Sequence, residues 1–282
     1  MAADEASFEI RAARPGDKGA VRALCARVWA DDYISDVFDD WVRDRTGRLW
    51  VAVERGRMIG VAKLTVHSSG DAWLHGLRVD PEHRRRGVAT ALLDHRLARA
   101  RRLGARIARL DTAQDNVAVQ GLMRSHRFHR IARVGSYWAP ASTGRRPRVA
   151  TRGELASLWR LLRRHGAMMH EPHFVRAVTR QDLARAVRER RCYVPDSQTD
   201  PSAIAIVEEL RDPGHGSRLL VQVLAGTPAG MRALARSLRA EAKVRRLQRA
   251  SIPAPDTQWR VVRAAGYHRR WPETMLVFER RL

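Results

Sequence analysis

The feature that most constrains the fold of this chain is a change of hydrophobic period within residues 73–103. A first group of side chains alternates with its neighbours at the two-residue period of a strand, namely Trp73, His75, Leu77 and Val79. Apolar side chains then recur along one side of a helix, at Ala89, Leu92, Leu93, Leu97, Ala100 and Leu103. A short basic turn separates the two periods. The sequence therefore predicts a strand, a turn and a helix in direct succession.

The turn combines glycine with positive charge. It reads Arg84-Arg85-Arg86-Gly87-Val88-Ala89-Thr90. Gly87 lets the backbone approach a ligand closely, and the N–H groups of a first helical turn have no intrahelical partner. Arginines at the positive end of a helix dipole favour a multiply charged anion such as a pyrophosphate. A solvated basic turn is the alternative interpretation.

Two motifs in this region resemble the GNAT superfamily of N-acetyltransferases. The acetyl-CoA loop of that family reads Arg/Gln-x-x-Gly-x-Gly/Ala, which Arg84, Gly87 and Ala89 match. Residues 116–128 are similar to the helix Asn-x-x-Ala-x-x-Leu-Tyr-x-Lys-x-Gly-Phe of the family, with Asn116, Leu122 and Phe128 in register. The resemblance implies acetyl-CoA as acyl donor, held by the following residues: Leu77, Arg78, Val79, Arg84, Arg85, Arg86, Gly87, Val88, Ala89, Thr90 and Asn116. Backbone N–H groups near Leu77 would polarise the thioester carbonyl.

His75 is the candidate general base. The strand period predicts that it faces the same side as Leu77, and imidazole accepts a proton near neutrality. Arylalkylamine N-acetyltransferases carry a catalytic histidine at the same offset, in a Leu-His-x-Leu-x-Val setting similar to residues 74–79. A core histidine with a satisfied hydrogen bond is the alternative, and Asp31, Asp32 and Asp36 are other candidate bases acting through water. No partner at metal-ligand spacing lies nearby, so no metal is expected.

The general acid has no clear candidate. The family places a tyrosine where this chain has Met123, and a thioether cannot donate a proton. Ser125, His126 and Tyr137 are candidates, or the thiolate leaves unprotonated, since a thiol is already a good leaving group.

Composition favours a globular protein of two domains. The chain has 282 residues, enough for two domains, and two cysteines, too few for a disulfide framework. It has no apolar run of membrane-spanning length and no apolar signal segment, so a cytoplasmic location without membrane attachment is expected. The net charge of +23 is almost all arginine, spread along the whole chain, and no nucleic-acid reading motif accompanies it. We therefore expect no specific nucleic-acid partner.

The order of predicted elements in the first half is β-α-α-β-β-β-α-β-α-β, which the resemblance identifies as the acetyltransferase core. Strands are predicted at residues 8–11, 49–54, 58–66, 73–79, 107–110 and 131–138, and helices at 17–29, 33–45, 89–103 and 116–126. A polar segment with two prolines, residues 140–147, reads as a linker. The predicted fold class is α/β (α+β), with two tandem GNAT-like domains, each a mixed and mostly antiparallel sheet flanked by helices.

The second half repeats this theme faintly. Helices are predicted at residues 154–165, 174–190, 231–246 and 259–265, and strands at 192–194, 203–208, 219–225 and 274–278. Gly266-Tyr267 takes the place of Arg127-Phe128 in the first half, but residues 226–230 lack arginine where the coenzyme loop would stand. We expect a catalytic domain at 1–140 and a degenerate domain at 148–282; an unrelated α/β domain is the alternative for the second.

The expected function is acetyl-CoA-dependent N-acetyl transfer to a small-molecule amine or amino acid. Residues 31–41 fall where this family commonly covers the acceptor, and together with residues 76–79 they show a weaker similarity to histidine N-acetyltransferase-like proteins. The competing interpretation is a non-catalytic binding module, an acyl-CoA sensor or a binder of nucleic acid or protein through its basic surface. We expect a monomer or homodimer.

Overall fold

Sheet strands flanked by helices make up the described part of the chain, which in the computed structural model comprises residues 8–171, 174–195, 201–212 and 216–282. Contacts divide it into two compact units that are not continuous in sequence. The first contains the described residues up to Leu110, Ala118–His129 and Phe278–Leu282, and the second contains Asp111–Val117 and Arg130–Val277. The division into a catalytic domain at 1–140 and a degenerate domain at 148–282 remains a prediction.

The first unit is built on an antiparallel ladder of four strands. Its elements are β1 (Glu9–Ala12), α1 (Lys18–Val28), α2 (Ile34–Arg43), β2 (Gly47–Glu54), β3 (Arg57–Val66), β4 (Asp71–Val79), α3 (Val88–Arg102), β5 (Ile107–Ala113) and α4 (Val117–Ser125), of which the ends of β5 and α4 belong to the second unit. Strands β1 to β4 pair antiparallel in chain order, and β5 runs parallel to β4. Arg55 and Gly56 both have positive φ, which closes β2 and β3 into a two-residue hairpin.

Helices cover both faces of this ladder. On one face, Val88 and Leu92 of α3 pack on Ala52, Ile59 and Ala62. The opposite face carries α1 and α2, whose Leu24 and Phe38 share a cluster with three residues of β2 and β3: Leu49, Val51 and Val61. Four members of the predicted helical stripe are buried in α3, namely Leu92, Leu93, Leu97 and Ala100. Ala89 is only half-buried, and Leu103 lies just after the helix and is exposed.

The second unit repeats the order of strands and helices. Its elements are β6 (His129–Pro140), β7 (Arg148–Val149), α5 (Leu155–Arg164), β8 (Met168–Glu171), β9 (Phe174–Ala177), α6 (Arg180–Arg188), β10 (Cys192–Val194), β11 (Ala203–Asp212), β12 (Gly216–Gly226), α7 (Pro228–Val244), β13 (Arg249–Pro255), α8 (Trp259–Ala264), β14 (His268–Arg269) and β15 (Met275–Arg281), with the first residue of β6 and the end of β15 in the first unit. Its strands lie in the order β6-β13-β12-β11-β10-β7, and β12 and β13 are parallel.

The same helix ending occurs once in each unit. After α4, Arg127 has φ 58° and the N–H of Phe128 donates to the carbonyl of Met123 at 2.9 Å. After α8, Gly266 has φ 87° and the N–H of Tyr267 donates to the carbonyl of Val262 at 3.3 Å. Both are left-handed caps with the six-residue bond of a Schellman ending, so the predicted correspondence of these two pairs holds in the backbone.

One predicted helix is wrong in its first part. Residues 174–190 begin with strand β9, which pairs with β8, and only then form α6. Thr179 starts this helix, because its hydroxyl accepts the Asp182 N–H while the Asp182 carboxylate accepts the Thr179 N–H, a capping box. Three short strands were not predicted: β8 has four residues, and β7 and β14 have two each. Strands that short show too few alternations to be recognised.

Candidate active site

The central feature of the candidate site is a bulge in β4. His75 pairs with Lys63 and Arg78 with Val61, so Gly76 and Leu77 together stand opposite Ala62. Gly76 has φ 64°, and a Cβ there would lie 2.7 Å from the Trp41 ring. The position therefore requires glycine both for its backbone conformation and for space.

The bulge separates the side chains of His75 and Leu77. Leu77 packs on the cluster of α3, whereas the His75 ring contacts Trp41 of α2 with 4.7 Å between centroids. The prediction that these two residues face the same side is therefore wrong, because the extra residue reverses the alternation. His75 shares its face with Arg78, which contacts Trp29 and Asp32.

Strands β4 and β5 separate just before this bulge. They pair only over Asp71–Trp73 and Ile107–Arg109. From Leu74 onward the recorded ladder partner of β4 is β3 alone. Arg96 of α3 donates to the Lys63 carbonyl at 3.2 Å and makes a longer contact of 3.5 Å with the His75 carbonyl. Backbone groups of Leu77, Arg78 and Val79 thus lie at a place where a ligand can supply hydrogen bonds.

The loop that follows β4 is open. Gly87 is the N-cap of α3 with φ 79°, no side-chain cap bonds to this end, and no atom lies within 4 Å of a Cβ built on it. Arg85 also has positive φ. The first intrahelical bond starts at the Ala91 N–H, so the N–H groups of Val88, Ala89 and Thr90 precede the ladder. Val88 is buried and anchors the loop, while Thr90 is exposed.

The three arginines of the loop differ in their surroundings. Arg84 and Arg85 are exposed, and neither forms an ion pair with another described residue. Arg86 donates to Glu54 at 2.7 Å, and His83 approaches the same carboxylate at 3.3 Å. Burial would raise the pKa of Glu54, but these bases hold it below its usual range. Arg84 and Arg85 are therefore more available to an anion than Arg86.

His75 lies half-buried at the bulge, among polar groups of β3. Its Nε2 is 3.2 Å from Oγ1 of Thr65, in the same strand as Lys63. Lys63 is 1 % exposed and forms an ion pair with Asp44, while burial lowers its pKa. The Thr65 contact fixes the orientation of the imidazole, which is as useful to a base as to a structural residue.

Beside His75, α2 and the segment before it form an aromatic wall. Trp41 meets Tyr33 edge to face at 5.9 Å, and the Arg78 guanidinium stands 4.1 Å from the Trp29 ring. Trp29 and Tyr33 are exposed at 54 % and 36 %. Asp32 is buried and engaged by Arg78, whereas Asp31 and Asp36 are exposed. Of the three alternative bases, Asp32 is thus already used in an ion pair.

The candidate acids lie in different surroundings. Met123 is 1 % exposed and belongs to the inner side of α4. Ser125 donates to the Leu122 carbonyl at 2.9 Å, and His126 approaches Asp94 at 3.4 Å. Tyr137 is buried in the core of the second unit, where burial raises its pKa. Asn116, in the Asp111–Val117 segment of that unit, donates its backbone N–H to Ala113.

The matching loop of the second unit is closed by its own chain. Thr227 caps α7 by accepting the Gly230 N–H at 3.1 Å, and Pro228 at the first helical position has no N–H. A Cβ on Gly226 would meet the carbonyl oxygen of Ser202 at 2.3 Å. No arginine lies in this loop. Of the three N–H positions that follow Gly87 in the first unit, one is satisfied here, at Gly230, and one is absent, at Pro228.

One further cluster has the residue types of a metal site. The potential ligand atoms of Asp80, Glu82 and His83 all lie within 4.8 Å of one another. No other group of three His, Cys, Asp or Glu side chains in the described ranges is this compact. Arg27 and Arg57 bind the Asp80 carboxylate at 2.7 and 3.1 Å. Cationic guanidinium groups therefore occupy the place that a metal ion would need.

In the described ranges, no helix is both long and apolar enough to span a bilayer.

Comparison with known proteins agrees with this geometry. The sequence profile of the acetyltransferase (GNAT) family matches residues 20–128. A GCN5-related N-acetyltransferase from Sphaerobacter thermophilus is 14 % identical, with a TM-score of 0.66 over 100 % of this chain and 97 % of that one. A tandem GNAT protein from the clavulanic acid biosynthesis pathway is 14 % identical, with a TM-score of 0.57 over 98 % of both chains.

A glucosamine N-acetyltransferase region of a fungal multi-domain β-N-acetylglucosaminidase is 16 % identical, with a TM-score of 0.65 over 97 % of this chain and 38 % of that one. No curated protein matches the sequence significantly. These likenesses establish the fold, and the predicted fold class, a mixed and mostly antiparallel α/β architecture of tandem GNAT type, is confirmed.

Proposed function

We propose that this chain, whose residues 20–128 match the acetyltransferase (GNAT) family, transfers an acetyl group from acetyl-CoA to the amine of a small molecule or amino acid. Acyl transfer from acyl-CoA is the general chemistry of this fold family. One observation carries the proposal: β4 separates from β5 at His75, on the strand that leads into the open N-terminus of α3. That arrangement brings acyl-donor and proton-transfer groups onto one strand and its loop.

Different groups of this site would bind the acyl donor, polarise its thioester and accept the proton of the amine. Exposed Arg84 and Arg85 and the N–H groups after Gly87 fit the pyrophosphate of the donor. Backbone at Leu77–Val79 fits the pantetheine arm and the thioester oxygen. Neutral His75 first takes a proton from the ammonium group, and the resulting neutral amine nitrogen bonds to the thioester carbon. As the carbon–sulfur bond breaks, the second proton on the nitrogen passes to solvent. Coenzyme A leaves as a thiolate.

The aromatic wall supports a small acceptor. Trp29, Tyr33 and Trp41 lie on the face of the sheet that His75 shares. Aromatic faces attract ammonium groups and apolar bodies alike. An amine with an apolar side chain suits this wall better than a highly charged acceptor does.

A thiol-release assay over a panel of amines tests the proposal. We expect acetyl-CoA-dependent release of free thiol with at least one small amine, and calorimetry should give one coenzyme site per chain. Gly87→Glu should abolish that binding, because it adds negative charge and strain at a positive φ. Absence of coenzyme binding at millimolar concentration would overturn the proposal. Coenzyme binding without turnover across the panel would favour an acyl-CoA-binding module, for which Met123 is the specific argument.

A further inference from the structure

The second unit contains a cavity that the proposed acetyl transfer does not use. It has a volume of about 470 Å³ and is lined in part by Asp111, His170, Glu171, Phe174, Trp271 and Glu273, all of which belong to that unit. Its size is that of a small-ligand site. Apolar side chains form most of the remaining wall.

The charge of this cavity is opposite to that of the chain. Lysine and arginine number 53 against 30 acidic residues in the sequence. Among the described residues that line the cavity, three are acidic and none is lysine or arginine. A low-dielectric wall strengthens the field of such charges. The cavity therefore attracts cations in a protein whose surface repels them.

The acidic groups of the cavity are not equivalent. Glu171 already accepts from Gln222 at 2.8 Å and from Arg176 at 3.3 Å. Glu273 is exposed to solvent. Asp111 forms no ion pair with another described residue, and burial raises its pKa to about 6, so its carboxyl group is mostly ionised at neutral pH. Asp111 is thus the carboxylate that a cationic ligand would neutralise.

His170 supplies a neutral polar group. Burial lowers its pKa to about 4, so its imidazole is uncharged at neutral pH and can accept a hydrogen bond. Phe174 and Trp271 are the aromatic rings that line the cavity, and Arg270 stands over the Trp271 ring at 4.9 Å. An ammonium group with several N–H donors can use both Asp111 and His170.

A metal ion fits these groups less well than an organic cation. Within the described ranges, Asp80, Glu82 and His83 are the one group whose three potential ligand atoms lie within 4.8 Å of one another. The acidic groups and the histidine of this cavity are not that close together. Much of the wall is apolar, as the body of an organic ligand requires. We propose that the cavity binds a small organic amine, with its ammonium group on Asp111 and its apolar body against Phe174. His75 is not among the residues that line this cavity, and the inference does not depend on the proposed acetyl transfer.

Calorimetry on the full chain, without acetyl-CoA, tests the proposal with 2-phenylethylamine as probe. We expect binding of the amine and at least about tenfold weaker binding of 2-phenylethanol, which lacks the charge. Asp111→Asn should weaken amine binding by about tenfold or more. Asp115→Asn is the matched control, because Asp115 is exposed and outside the cavity, and it should leave the affinity unchanged.

A second variant separates this site from the proposed acceptor site. His75→Gln should not change the heat of amine binding at the cavity. Loss of binding in His75→Gln but not in Asp111→Asn would overturn the inference while leaving acetyl transfer intact. Equal affinity for amine and alcohol, or no binding at millimolar amine, would also overturn it. If Asp111→Asn proves unfolded by its melting curve, His170→Phe, which keeps an aromatic ring but removes the acceptor, should still weaken amine binding.

Discussion

At the scale of single residues, His75 gives the most direct test of mechanism. Glutamine at this position keeps a hydrogen-bonding group for Thr65 but cannot accept a proton at neutral pH. We expect His75→Gln to lower turnover by about 10²–10⁴-fold while affinity for acetyl-CoA stays similar. The wild-type rate should rise with pH as imidazole loses its proton, and the variant should lose that rise. Steady-state kinetics from pH 5.5 to 8 measure both.

Thr65→Val is the control for a structural role. It removes the hydroxyl that lies 3.2 Å from the ring but leaves the imidazole. A modest loss of turnover with the pH profile retained fits a base that Thr65 orients. Near wild-type turnover in His75→Gln would place the base elsewhere, with Asp31 and Asp36 the exposed candidates.

Asp111 and His170 should give opposite pH dependences of stability. Folding raises the pKa of Asp111 to about 6, so its contribution to the free energy of unfolding falls as pH rises from about 4 to 6. Folding lowers the pKa of His170 to about 4, so its contribution grows as pH rises from about 4 to 6.5. The two contributions oppose each other over the same range in the wild-type protein.

Removing either group should reveal the pH dependence of stability that the other group causes. When the pH rises from 4.5 to 6.5, the free energy of unfolding of Asp111→Asn should increase relative to that of the wild type, by about 1–3 kcal/mol. Over the same rise, the free energy of unfolding of His170→Gln should decrease relative to that of the wild type by a similar amount. Glu171, Glu273 and Arg270 also lie at or near the cavity and stay unchanged in both variants. Urea denaturation at the two pH values measures the difference. Parallel pH profiles for the two variants would contradict the assignment.

At the scale of elements, the loop between β4 and α3 predicts unequal roles for its arginines. Arg84→Ala and Arg85→Ala should each weaken acetyl-CoA binding by at least about threefold, because each removes an available charge near the N-terminus of α3. Arg86→Ala should cost less, since Glu54 already holds that guanidinium. Arg102→Ala changes the net charge equally at the far end of α3 and serves as control. Calorimetry at physiological salt suppresses nonspecific attraction. Equal losses in all four variants would indicate bulk charge alone.

Helix α6 depends on one buried carboxylate. Asp182 accepts two bonds from Arg176, at 2.6 and 2.9 Å, and also closes the capping box with Thr179. Burial alone would raise its pKa, but these partners lower it to about 2. Asp182→Ala should therefore reduce the free energy of unfolding by about 3–5 kcal/mol, since it leaves Arg176 buried without its principal partner. Arg185→Ala, an exposed partner of the same carboxylate, should cost under about 1 kcal/mol.

The same elements show what a sequence can predict. Helix α3 follows from periodicity because it buries one face. Strand β4 also follows from the alternation of its residue types, although its first four residues are all buried. The bulge at Gly76 does not, because it appears only when the register with Ala62 is known. Likewise Arg86 finds Glu54 across 32 positions of sequence, which no local pattern indicates. The start of α6 could have been predicted, since Thr179 and Asp182 stand at capping-box spacing. The cavity of the second unit joins residues from Asp111 to Val277 and has no local signature.

At the scale of the whole molecule, the first unit includes residues from the far end of the sequence. Phe278–Leu282 belong to it. Glu279 in this segment forms an ion pair with buried Arg109 at 2.7 Å. Arg109 also pairs with Asp71, at the point where β4 meets β5. Deletion of residues 278–282 should lower the melting temperature and weaken acetyl-CoA binding, although the segment lies outside the coenzyme loop. Glu279→Ala should reproduce part of the destabilisation. Unchanged coenzyme affinity after deletion would show that β4 and β5 keep their geometry without this segment.

This arrangement has a consequence for the timing of synthesis. A ribosome that has made residues 8–129 has produced every helix of the first unit but not the segment that lies beside β5. The unit must then wait for about 150 further residues, or roughly ten to thirty seconds at ordinary elongation rates. During that interval an edge of β5 is without its strand neighbour, and such edges invite pairing with other chains. Translation speed and chaperone supply should therefore influence the yield of folded protein more strongly here than in a protein whose N-terminal unit is completed first.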